Sequence, residues 1–334
     1  MNVNLSKKKI GEKYPTFIIA EAGINHNGDI EIAKKMIKKA KELNVNAIKF
    51  QTFSANDMTS TKSEYYEIFK NLEFSLSDFQ ELSNYAKKQK LIFCSTPFSE
   101  KAVDILEKCK VPFFKIASGD LTHTPLLKYV ASKKKPVIIS TGMSNMEEIK
   151  NAIKVIESQD NNKIVILHSV SAYPTPQNET NLNAIKTLEK KFVYPIGFSD
   201  NGPGITVPIS AMCLGARVIE KHFTLNKKMK GPDHSFSGDP KDFKKMIEKI
   251  REIESILGNG VKTPQKSEFG NIINIRRSIT SKMEINRGQR ITKDMLSIKR
   301  PATGIEPKFL DKIIGEKVKK RIEIDRAIKW DDLE

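Results

Sequence analysis

Eight short apolar runs in this sequence end in residues that can do chemistry. The first ends at Glu21 and is followed by Asn25-His26-Asn27, and the second ends in Lys49 and Gln51. The third carries Ser95-Thr96, the fourth Lys115, Ser118 and Asp120, and the fifth Ser140-Thr141. The sixth carries His168-Ser169, then Ser171 and Tyr173; the seventh ends in Ser199-Asp200-Asn201. The last holds Glu220-Lys221-His222, with Asp233-His234 in the loop beyond. Two lysines among hydroxyls suit an anionic ligand such as phosphate, with the ammonium supplying charge and Ser, Thr and backbone N–H groups donating hydrogen bonds. Glu21 suits a general acid or base if its pocket raises its pKa. His222, with the oxygens of Asn201 and Asp233, suits a divalent ion that keeps positions open for substrate. Structural alternatives stand beside these roles. Lys49 and Lys115 can pair with Glu21 and Glu220, and His26 and His168 can be packing residues. Side chains alternate along a strand, so Glu220 and His222 share one side and Lys221 points to the other, outside the pocket.

The runs that must position these residues are TFIIAEAG (16–23), VNAIKFQT (45–52), LIFCSTPF (91–98), PFFKIASG (112–119), PVIISTGM (136–143), KIVILHSV (163–170), FVYPIGFSD (192–200) and ARVIEKHFT (216–224). Amphipathic stretches with helical period separate them, clearest in residues 30–43, where Ile30, Ala33, Ile37 and Ala40 share a face. Near-continuous apolar strands alternating with helices indicate a parallel sheet covered on both faces. Eight such units predict an α/β fold, a (β/α)8 TIM barrel over 1–258, whose active site lies at the C-terminal strand ends. A doubly wound open sheet is the alternative, but the first strand-to-helix turn has no GxGxxG. Residues 259–271 read as a linker. Residues 272–334 read as a small, separate, β-rich domain with a turn at Asn286-Arg287-Gly288 and a short helix near Pro307–Ile314.

With 39% hydrophobic and 29% charged residues in 334, the chain has the composition of a packed protein, not of a disordered one. Three scattered cysteines exclude a disulfide framework and a CxxC metal site, and suit reduced thiols. No apolar run approaches the roughly 20 residues of a membrane span. The N-terminal MNVNLSKKKIGEKYP lacks the apolar core of a signal peptide, so the expected location is cytoplasmic, with no membrane partner. The formal charge of +17 suits anionic substrates. The basic residues are spread along the chain without a nucleic-acid-binding motif, so no nucleic-acid partner is expected.

The segments IIAEAGINHNGD, IKFQTF, STPFS, FKIASGDL, ISTGMS, LHSVSAYPTP, GFSDN, VIEKHFT and GPDHSFS, in this order, resemble the N-acetylneuraminate (sialic acid) synthase family, with its legionaminic and pseudaminic acid synthases and spore-coat relatives. The segments ITSKMEINRGQRIT, SIKRPATGI and IGEKVKKRIEID resemble that family's C-terminal antifreeze-like (SAF) domain. The resemblance implies a synthase that condenses phosphoenolpyruvate (PEP) with N-acetylmannosamine or a related N-acyl hexose. The products are a nine-carbon 2-keto acid and phosphate. It also implies a divalent metal (Mn2+ or Mg2+) and a domain-swapped homodimer. Carried across by position, Glu21 and Asp120 would be catalytic, and Lys49, Thr96, Lys115, Ser118 and Ser140 would hold PEP. Gln51, Ser171, Tyr173, Asp233 and Arg300 would contact the sugar, and His222 and Asn201 the metal.

Three positions depart from the family pattern. Asn201 stands where a second metal histidine usually follows Ser-Asp, with Asp200 or His234 as substitutes to consider. Asp120 replaces a glutamate, and Ser171 replaces an asparagine found in some members; both lie near the expected sugar site. Two other functions are compatible with the residues: a Schiff-base aldolase of the pyruvate class using Lys115, and a non-catalytic carbohydrate-binding protein.

Overall fold

The computed structural model describes residues 1–334, which divide into two compact units, Met1–Gly258 and Asn259–Glu334. The first unit opens with an antiparallel hairpin of β1 (Val3–Leu5) and β2 (Lys8–Ile10). The alternating pattern follows: β3 (Phe17–Gly23), α1 (Ile30–Glu42), β4 (Ala47–Thr52), the short α2 (Ala55–Met58) and α3 (Tyr66–Lys70), α4 (Leu76–Lys88), β5 (Ile92–Pro97), α5 (Glu100–Lys108) and β6 (Phe114–Ile116). It continues through α6 (Thr124–Ser132), β7 (Val137–Ser140), α7 (Met146–Glu157), β8 (Ile164–Ser169), α8 (Ala184–Lys191), β9 (Ile196–Asp200), α9 (Thr206–Cys213), β10 (Val218–His222) and α10 (Pro240–Ile256).

Strands β3 to β10 form one parallel sheet in the order β5-β4-β3-β10-β9-β8-β7-β6. Its edge strands β5 and β6 lie side by side, so the sheet is a nearly closed barrel with helices around it. The helices start where polar caps satisfy their free N–H groups. Asp29 accepts from the backbone of Glu31 and Ile32 at α1, and Ser75, Asn145 and Asp239 form capping boxes at α4, α7 and α10. Helix α1 buries Ala33, Met36, Ile37 and Ala40 against the barrel, while Ile30 stays partly exposed.

The barrel interior explains where the chemistry sits. At the N-terminal end its inward rows are apolar: Phe17 and Ile19, Ala47, Cys94, Phe113, Ile138, Val165 and Leu167, and Val218. Val3, Leu5 and Ile10 of the hairpin pack into this same cluster. Two residues further along each strand, the same row turns polar: Glu21, Lys49, Thr96, Lys115, Ser140, Ser169 and Glu220. The two-residue period of a strand therefore carries each row from a packed floor into a polar mouth.

The second unit contains α11 (Phe269–Ile275), a two-stranded sheet of β11 (Ser278–Ser281) and β12 (Leu296–Lys299), and α12 (Leu310–Ile313). Ile279, Ile285, Ile291, Ile305, Ile313, Val318, Ile322 and Ile328 give it a core of its own. Within the stretch expected to be a bare linker, Lys266–Glu268 form a 3-10 turn that leads into α11.

Candidate active site

Two lysines and two glutamates meet at the centre of the barrel mouth, all nearly inaccessible to solvent. Lys49 Nζ lies 2.6 Å from Glu21 Oε2 and 3.7 Å from Glu220 Oε2, and donates to Thr96 Oγ1 at 3.0 Å. Lys115 Nζ donates to Ser140 Oγ at 2.6 Å and to the Ile116 carbonyl at 3.2 Å, and stands 3.5 Å from Glu220 Oε1. Ser199 Oγ donates to Glu220 Oε1 at 2.8 Å. Opposite charges balance within the cluster, which is what makes burying them tolerable.

The two acids differ in environment. Burial, reinforced by the nearby Glu220 charge, pushes Glu21 up to about 7 in spite of Lys49. Its Oε1 has no hydrogen-bond partner. Burial acts on Glu220 in the same direction, but Lys115, Lys49 and the Ser199 hydroxyl outweigh it and hold Glu220 below the usual range. Burial likewise opposes the charge on Lys49, yet Glu21 and Glu220 overcome it and raise its pKa. On Lys115 burial prevails and the pKa is lowered. One acid thus exchanges protons near neutral pH while the other stays ionised, the separation that acid–base chemistry uses.

These residues line a central cavity of about 60 Å³ together with Gln51, Phe98, Ser118, Ser169, Tyr173, Asn201 and His222. A larger groove of about 720 Å³ between α1 and α4 holds surface lysines but none of this cluster. Gly23, with φ of +51°, brings one side together: a methyl group there would sit 3.3 Å from Glu21 Oε1 and 3.8 Å from both Asp233 Oδ2 and Gln51 Nε2. On the other side Ser118 Oγ accepts from the Gly142 N–H at 3.0 Å. Ser171 Oγ is buried there without a partner.

His222 is neutral: burial, then the Lys49 charge, lowers it to about 3. Its Nδ1 is buried without a hydrogen bond, 3.7 Å from Asp233 Oδ2. Burial raises Asp233 to about 6. The Asn201 Nδ2 is committed to the Val170 carbonyl at 2.8 Å, which leaves its Oδ1 as the atom for a ligand. No three His, Cys, Asp or Glu side chains cluster as a metal site. An unpaired neutral imidazole nitrogen 3.7 Å from a carboxylate, in a cavity that Asn201 also lines, nonetheless fits a divalent ion with several positions left to other ligands.

Several expected residues fall elsewhere. Asp200 is no substitute ligand, because it faces outward and pairs with Lys221 at 2.6 Å. His234 is not one either: its ring bonds Thr224 Oγ1 at 2.7 Å and Asn27 Oδ1 at 3.1 Å. Asp120 closes the 3-10 turn Ser118–Asp120, half-buried and outside the cavity lining. Arg300 is an exposed residue of the second unit, just after β12. His26 is buried against Phe74 with ring centroids 4.1 Å apart, and His168 bonds the Thr180 carbonyl at 2.8 Å, so both are packing residues. Glu220 and Ser199 lie within the cluster; from the sequence Glu220 drew only ion pairing, although alternation placed it on the side of His222, and Ser199 drew no specific role. Phe236, whose ring lies 5.2 Å from His222 and 5.9 Å from Tyr173, sits in an irregular loop where no periodic signal marks it.

A model described as the NeuB family matches residues 36–262, and one described as the SAF domain matches residues 276–334. An uncharacterized protein of Methanocaldococcus jannaschii is 52% identical over 334 residues, covering 98% of this chain and 99% of its own. The N,N'-diacetyllegionaminic acid synthase of Legionella pneumophila is 40% identical over 345 residues, covering 98% and 97%. The crystal structure of the N-acetylneuraminic acid (sialic acid) synthetase of Leptospira borgpetersenii superposes with a TM-score of 0.79 at 36% identity, covering 81% of this chain and 95% of its own.

Proposed function

Because the chain belongs to the NeuB family, whose members include sialic, legionaminic and pseudaminic acid synthases, we propose that it is a nonulosonate synthase that condenses PEP with an N-acyl hexose of the mannosamine type. The buried Lys49–Glu21–Glu220–Lys115 cluster carries this reading, since it joins anion-binding charge to an acid that titrates near neutral pH.

Lys49 and Lys115, with Thr96, Ser118 and Ser140, hold the phosphate and carboxylate of PEP. Gln51, Ser171, Tyr173 and Asp233 receive the open-chain sugar. The methylene carbon of PEP attacks the aldehyde carbon, and the aldehyde oxygen takes a proton from Glu21. Water then adds to the former enol carbon and gives one proton back to Glu21, and the C–O bond to phosphate breaks as the new hydroxyl passes its remaining proton to the departing phosphate, leaving the 2-keto acid. His222 and Asn201 would hold a divalent ion, Mn2+ or Mg2+, which when bound supplies Lewis-acid polarisation of the aldehyde. As PEP draws Lys49 away from Glu21, it favours the protonated carboxyl that the first step needs.

A second copy of the chain is the proposed partner. Phe269, Ile273 and Ile275 of α11 are exposed apolar side chains, which supports their being covered in a homodimer. In this reading Arg300 of the other subunit hydrogen-bonds the N-acyl group. Light scattering decides the oligomeric state, a monomer at assay concentration counting against it. No helix is long and apolar enough to cross a membrane.

Phosphate release that needs both PEP and one sugar of a panel tests the function. The panel is N-acetylmannosamine, its 6-phosphate and a diacetamido-trideoxyhexose. Release without sugar, or none with any of them, would count against it. A second reading, a Schiff-base aldolase, is favoured by the lowered pKa of Lys115, because a neutral amine is the nucleophile it requires. Borohydride trapping of pyruvate on the protein separates the two.

A further inference from the structure

One buried ion pair lies outside the lysine–glutamate cluster. Lys221 stands between Glu220 and His222 on β10, but points outward into the layer between strands and helices, where it is 1% exposed. Its Nζ meets Asp200 Oδ2 at 2.6 Å and donates to the Gly202 carbonyl at 2.7 Å. Asp200 Oδ1 in turn accepts from the Gly202 N–H at 3.0 Å. Apolar residues of the same volume serve stability as well as a buried pair does, so stability alone gives no reason for charge here. What the charges add is direction: both polar groups of Gly202 are fastened, one by each partner.

Between the two clamped residues sits Asn201. Its carbonyl accepts from the Thr175 N–H at 3.2 Å, and its Nδ2 donates to the Val170 carbonyl. Thr175 Oγ1 closes the same loop by donating to the carbonyls of Val170 and Ala172 at 3.1 and 2.9 Å. The loop from Val170 to Thr175 carries Ser171 and Tyr173. Hydrogen bonds, linked by the Asn201–Gly202 peptide, thus run from Lys221 to the Tyr173 loop. Lys49, Lys115 and Ser118 are held by separate bonds on β4, β6 and the turn after β6.

We propose that Lys221 and Asp200 are positioning residues that fix the Asn201 amide and the Tyr173 loop from behind the barrel wall, and so set affinity for the sugar but not for PEP. The kinetic part rests on the synthase function proposed above. Groups that orient a metal-ligating side chain from behind, as these would orient Asn201, typically cost on the order of 10- to 100-fold in metal affinity or activity when removed. In the full-length protein, Lys221→Met, and the charge-free pair Asp200→Leu/Lys221→Met in case the lone carboxylate prevents folding, should raise KM for the sugar by about that factor. KM for PEP should stay unchanged. Lys221→Arg should restore most of the loss. Amide hydrogen exchange, read without substrate, should quicken in residues 199–204 and 170–176 of the charge-free pair and nowhere else in the barrel. Unchanged exchange in those segments overturns the proposal, as does an equal rise in both KM values. A wild-type protein that turns over no sugar refutes the synthase function instead, and the exchange result still decides the clamp.

Discussion

Glu21→Gln should make the barrel more stable above neutral pH while removing most of its activity. Glu21 is fully buried, and its pKa is about 7 against an ordinary 4.5. Between those values the folded chain keeps a proton on Glu21 that the unfolded chain has lost. The corresponding stability is present in full below pH 4.5, falls as pH rises, and is gone above pH 7. At 1.36 kcal/mol per pH unit the difference comes to about 3 kcal/mol. Glutamine has the shape of the protonated acid and carries no charge, so it escapes this cost, and Lys49 keeps Glu220 at 3.7 Å as a partner. Urea unfolding followed by far-UV circular dichroism at pH 4.5 and 8.5 tests this. Taking variant minus wild type at each pH cancels the titration of groups outside the cluster. The sole tryptophan, Trp330, belongs to the second unit, so its fluorescence follows that unit separately from the barrel. The variant should match wild type at pH 4.5, exceed it by about 3 kcal/mol at pH 8.5, and lose roughly 10²–10⁴-fold in turnover. A variant less stable than wild type at pH 8.5 would mean that the Lys49–Glu21 pair stabilises the fold on balance. A difference independent of pH would mean that Glu21 titrates as an ordinary carboxylate. Either result refutes the reasoning.

Lys115→Met should raise KM for PEP on the order of 100-fold, because it removes a buried charge-assisted donor; steady-state kinetics with PEP varied checks this. Arg300→Ala should raise KM for the sugar and leave KM for PEP unchanged, and equal changes in both would end its assignment to the N-acyl group. Leu5→Ala should cost about 2–5 kcal/mol of barrel stability with both KM values intact, since Leu5 is fully buried in the apolar floor and remote from the polar mouth. Denaturant unfolding and kinetics on the same preparation test that separation.

The barrel was legible because strands buried on both faces must be apolar almost throughout, and the helices between them keep a 3.6-residue period. The inward row was legible for the same reason, and Lys221 leaves the pocket as alternation requires. The short β1–β2 hairpin was not. Its strands have three residues each and the lysines around them dominate the local composition, so only the barrel floor shows why Val3, Leu5 and Ile10 are apolar. Helices α2 and α3 are too short to show a period. In the site, pairing of Lys49 and Lys115 with Glu21 and Glu220 was foreseeable as the alternative to ligand binding. The partner of Asp200 was not, because which outward residue on β10 meets it depends on strand register, and a sequence does not print register.

The most direct test of the central claim measures phosphate and 2-keto acid together, in one reaction containing PEP, a divalent ion and each sugar of the panel in turn. A nonulosonate synthase gives equal amounts of the two products with one sugar, neither product when that sugar is omitted, and loses both in Glu21→Gln. Phosphate appearing without keto acid, or keto acid formed from pyruvate in place of PEP, would contradict it.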